Sequence, residues 1–181
     1  MTVHMKKILP LLFALIVLPL AACDRGGAHP SSTVDFAVDV ENPREVVGFA
    51  DYYFIGEVLR EMETLPQGEG GALPYTRYQV QVVENIKGSL PQDEALDVLK
   101  AGGIGPQGEV LTYENDELLE VGKTYALAAA VQGAGSLLIS GPNSSVVVEE
   151  APGPQRYRKY HRIHEEEVPY NRERYEYAPQ K

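Results

Sequence analysis

Hydrophobic and polar positions change rhythm along the chain. Residues 8–20 are apolar apart from Pro10 and Pro19 and show no alternation. From Tyr52 onward the pattern is that of short strands. "YTRYQVQVVENIKGSLP" puts Tyr78, Val80 and Val82 on one face and Gln79 and Gln81 on the other, the period of two expected of a half-buried strand. "YYFIGEVLREMETL" before it is aromatic and β-branched in its first half, and Gly56 inside it predicts a bulge or sharp bend. Between these two strands "QGEGGALP", residues 67–74, reads as a hairpin loop. "EALDVLKAGG" is a third, short strand. The long connection that follows carries one expected helix-like turn at residues 116–120. "TYALAAAVQ" and "SLLIS" flank "GAG" as a tight hairpin, and "SVVVEE" closes the series. The alanines of "TYALAAAVQ" also suit a helix, but Gly122 and Gly133 leave it too little length.

Ahead of the strands, Asn42-Pro43 predicts a helix start. Asn42 is a good N-cap, Pro43 suits the first helical position and Glu45 favours the positive helix end. The helix lasts two turns at most, and Gly48 weakens it. Five or six short strands with an early bend and a small helix predict an all-β fold, a small closed barrel whose closure removes exposed sheet edges.

The apolar start follows two lysines, Lys6 and Lys7, and ends in Ala21-Ala22-Cys23. It is shorter than the roughly 18 residues of a membrane-spanning helix, so a removed signal peptide is expected. Leu20-Ala21-Ala22-Cys23 resembles the lipobox of bacterial lipoproteins. That resemblance implies cleavage between Ala22 and Cys23 and a lipid on the Cys23 thiol. A plain signal peptide with an incidental cysteine is the alternative. The implied location is the cell membrane, on its extracytoplasmic face, with the lipid anchor as the membrane contact. Asp24 next to it resembles the signal for inner-membrane retention in enteric Gram-negative bacteria.

The expected organisation is therefore a signal peptide (1–22), a lipidated cysteine and tether (23–41), a barrel (42–150) and a charged tail (151–181). Cys23 is the only cysteine, so the barrel depends on its core and not on disulfides. Residues 43–150 hold six Lys or Arg against seventeen Asp or Glu. Such an acidic body argues against nucleic acid as a partner, because phosphates need cations to neutralise them.

Several pieces resemble netrin-like modules and their bacterial relatives, which share the barrel of the tissue inhibitors of metalloproteinases. They are Ala50-Asp51 with Gly56-Glu57-Val58, the Lys87-Gly88 turn, and Val121-Gly122-Lys123 leading to Tyr125. The resemblance implies a five-stranded OB-like barrel over about residues 46–148. It does not extend to protease inhibition, which in that family uses a disulfide-locked amino-terminal cysteine.

Residues 43–150 contain no His, Cys or Trp. A nucleophile there has no histidine base, and transition metals have neither of their usual ligands, so no catalytic residue, metal site or cofactor is assigned. A carboxylate pair for glycoside hydrolysis is the remaining enzymatic reading. Gly103 to Gly108 match G-x-G-x-x-G, but no Rossmann strand and helix flank them, and a turn is expected. "ENDE" at residues 114–117 reads as a solvated acidic loop, with weak calcium binding as the alternative. "HRIHEEE", with His161 and His164, reads as a charged helix with Arg162 pairing to Glu166. The tail holds five of the eleven tyrosines. Its cluster of Arg156, Tyr157, Arg158, Lys159, Tyr160 and Arg162 suits either a solvated, partly disordered extension or contact with anionic lipid or wall polymer. The expected function is non-enzymatic binding of a protein or peptide through residues 67–74 and 102–115. A carbohydrate- or wall-binding face bearing Tyr75 and Tyr78 is the second reading.

Overall fold

In a computed structural model, residues 35–66, 73–132, 135–149 and 155–179 are described. The signal peptide with Ala22, the lipidation candidate Cys23, and most of the 67–74 loop lie outside them.

Helix α1 (Pro43–Phe49) begins where Asn42 accepts a hydrogen bond from the Arg44 amide, with Pro43 in the first turn. Strands β1 (Tyr52–Leu65), β2 (Tyr75–Lys87) and β3 (Ala95–Ala101) form an antiparallel meander. The short β4 (Gly103–Ile104) and β5 (Val110–Leu111) pair with each other, so the glycine-rich motif is a hairpin. Then come β6 (Thr124–Val131), β7 (Leu137–Ile139), β8 (Ser145–Val147) and helix α2 (Arg158–Glu165).

The sheet runs β1-β2-β3-β7-β6, and β6 pairs back onto β1 to close a five-stranded barrel. β8 adds to β6, and β3 lies parallel to β7. The closed all-β barrel is the expected fold class. Its register shifts between Ile55 and Gly56, at the bulge the glycine predicted. Residues 116–120 form no helix. The chain instead turns at Tyr113 to Asp116, with Asn115 at φ 58°.

Alternation sorts the core into two layers. Tyr52, Phe54, Val58, Tyr78, Val80, Val98 and Leu127 fill the barrel interior. Tyr53, Ile55, Ala126 and Ala128 face outward under α1 and α2, where Tyr160 meets Tyr53 edge-on at 6.5 Å. Full burial of a side chain such as Ile55 removes apolar area from water and stabilises the fold by about 1.5–3 kcal/mol.

The tail is bound over much of its length. After α2, the Val168 amide donates to the Arg44 carbonyl at 3.1 Å. Arg174 donates to the carbonyls of Gly48, Phe49 and Ala50 at 2.6–2.7 Å, filling acceptors that the C-terminal turn of α1 leaves open. Arg172 pairs with buried Asp51 at 2.7 Å. The Tyr177 amide reaches the Tyr52 hydroxyl at 3.0 Å, and Tyr177 packs against the interior cluster. The tail thus straps α1 to the barrel.

Candidate binding site

Pro74, which ends the first loop singled out from the sequence, meets Gly102, which begins the second, at one end of the barrel. The Gly102 amide donates to the Pro74 carbonyl at 2.8 Å. The Thr76 hydroxyl donates to the Gly102 carbonyl at 2.9 Å. Gly103 packs against Thr64 and Thr76 so closely that a Cβ would collide with both. The β4–β5 hairpin therefore lies against the outer end of the β1–β2 arm, and Ile104, paired with Val110 in it, is 47 % exposed. Leu59 and Met62 on the arm are exposed as well.

Beneath this end lies an ion pair that the sequence reading missed. Lys100 follows Leu96 and Val98 in the inward phase of β3 and is fully buried. Its Nζ contacts both Asp116 oxygens, at 2.6 and 2.7 Å, and Asp116 also accepts from the Glu117 amide. Burial lowers the Lys100 pKa, while Asp116 acts against that shift. The central acid of "ENDE" is thus a buried anchor and not a solvated residue. It pins the loop onto the barrel, and a hollow of about 850 Å³ beside it is lined by Thr112, Glu114, Asp116, Glu117 and Asn143. An acidic recess of this kind attracts cationic groups.

The other candidates are dispersed. Tyr78 points into the barrel and is fully buried while Tyr75 is half-buried, so these two do not form a shared exposed face. Alternation on β2 places Tyr75 and Tyr78, three residues apart, on opposite faces. In α2, His161 pairs with Glu84 and His164 with Glu167 at 3.1 Å. Glu166 pairs with Arg44, not Arg162, because α1 presents that guanidinium across the helix interface. Tyr160 in the basic cluster is buried, whereas Arg158, Lys159 and Arg162 stay exposed. Among the described residues no group of three His, Cys, Asp or Glu is placed to hold a metal ion. No protein-family model matches this chain, and no curated protein matches it.

Proposed function

We propose that the chain is an exported bacterial lipoprotein, held at the extracytoplasmic face of the membrane by lipid on Cys23, whose barrel binds a protein or peptide without catalysis. The observation that carries the reading is the junction of the β4–β5 hairpin with the β1–β2 arm at Gly102 and Pro74. Pro74 and the β4–β5 hairpin come together there; Ile104 of the hairpin is exposed, and the acids Glu114 and Glu117 line the hollow next to Asp116. A partner matching it offers a basic surface with an apolar contact. The absence of His and Cys from residues 43–150 supports binding over chemistry.

The test places a photocrosslinking amino acid at Ile104 and, as a control, at Arg158 on the opposite part of the chain, in intact cells. One discrete adduct from position 104 alone, weakened by Glu117→Lys, supports the reading. Equal adducts from both positions, or none from 104, overturn it. Fractionation of Cys23→Ala tests the anchor separately: the variant leaves the membrane fraction if Cys23 carries the lipid.

A further inference from the structure

A second hollow, of about 310 Å³, lies on the outside of β6 and β7, with Tyr113 between it and the first. Val46 and Phe49 of α1 form one wall, Ala128, Ala130 and Leu138 the floor, and Val38 part of the roof. The small side chains on β6 leave room that a larger residue would fill. The roof is the segment at residues 35–40, and it is fastened at both ends. Phe36 packs edge-on against Tyr113 at 5.1 Å, and the Asn143 side-chain amide donates to the Val40 carbonyl at 2.7 Å. The Phe36 ring also covers Gly141, whose φ of 85° and lack of a Cβ permit that approach.

The volume and mainly apolar lining are those of a small-molecule pocket with few polar groups. Among the described residues, the polar side chains at the hollow are those of Asp35, Tyr113, Gln132, Ser140 and Ser144, and no Lys or Arg lines it. A ligand with an anionic head would meet Asp35 and find no counter-charge among the described lining residues. Hydroxyl and amide groups at the rim instead suit an uncharged, hydrogen-bonding head.

The roof also fixes where the hollow sits. Asp35, at its edge, is twelve residues beyond Cys23. Twelve residues span at most about 40 Å, the limit that backbone geometry sets. If Cys23 is anchored, this side of the barrel is the one tethered next to the bilayer and free to reach its headgroup layer. We propose that the hollow binds one acyl chain of a neutral membrane lipid, with the head at Ser140 and Gln132. The choice of ligand source rests on the Cys23 anchor, whereas the pocket itself does not.

The experiment uses a photoactivatable monoacylglycerol and the full chain, purified from whichever cell fraction holds it and placed in lipid nanodiscs. Labels mapping to residues 36–49 or 128–140, competed by plain monoacylglycerol, are expected. Ala130→Phe and Leu138→Trp fill the hollow from two strands, and either folded variant should cut that labelling about tenfold or more. A photoactivatable fatty acid should label it more weakly. Labelling spread elsewhere, or undiminished in both variants, overturns the site. Equal labelling by the fatty acid overturns the neutral-head assignment. Labelling that appears only after Cys23→Ala means the chain's own lipid fills the hollow, and the proposal fails. A wild-type chain found in the soluble fraction refutes the anchor alone, because labelling of that soluble protein still reads out the pocket.

Discussion

Lys100 and Asp116 face each other inside the barrel end, both Asp116 oxygens within 2.7 Å of the ammonium and both side chains at most 4 % exposed. Such a pair costs desolvation on both sides, and losing one partner strands the other charge. Asp116→Ala should therefore destabilise the domain by about 3–5 kcal/mol, while the double variant Lys100→Met/Asp116→Leu recovers most of that loss. Urea unfolding of the three proteins measures it. If the single variant costs less than the double, the pair does not hold the loop as described.

How much of this was readable beforehand follows from the same residues. Alternation in "YTRYQVQ" and the Asn42-Pro43 start are local signals, so β2 and α1 appear where their sequences place them. Lys100 also carried a local signal, since Leu96, Val98 and Lys100 share the inward phase of β3. A lysine at an inward position implies a buried carboxylate, but which acid supplies it depends on the path of the loop. The tail was less legible. Its order comes from guanidinium bonds to α1 carbonyls more than 120 residues earlier in the chain, and composition does not encode such partners.

Those bonds make the tail a stabilising element. Arg174 reaches three carbonyls at the end of α1 and sits 3.6 Å from Asp51. Hydrogen bonds from charged groups contribute about 1.5–3 kcal/mol, so Arg174→Ala should cost about 2 kcal/mol. It should also expose the segment after Glu167 to limited proteolysis. Arg158→Ala, whose side chain is exposed on α2, should leave both stability and cleavage unchanged.

Tyr53 gives a pH dependence with a defined sign. Burial raises its pKa well above the ordinary value of 10.0, with a smaller contribution from Tyr160. A raised folded pKa means that the unfolded chain loses the proton first. The stability this group provides is complete below pH about 10 and is lost as pH climbs toward the folded value, by up to about 1.4 kcal/mol per pH unit. Unfolding midpoints between pH 9 and 11.5 should therefore fall less steeply for Tyr53→Phe than for wild type. Identical slopes would mean that Tyr53 is not protected by the α2 layer.

Gly48 supplies a test in which helix propensity and packing predict opposite signs. It lies inside α1, where replacing glycine by alanine ordinarily stabilises a helix by up to about 1 kcal/mol. Here the tail carbonyl of Val168 lies against the glycine, and a Cβ would overlap that oxygen. The obstacle is backbone, held by the Val168 amide bond to Arg44, so no side-chain rotation relieves it. Gly48→Ala should destabilise the full chain and loosen the segment after Glu167. In a chain ending at Glu167 the obstacle is gone, and the same substitution should become neutral or stabilising. Measuring the substitution in both backgrounds separates the two effects: a penalty that survives truncation would show that the strap is not what excludes a side chain at position 48.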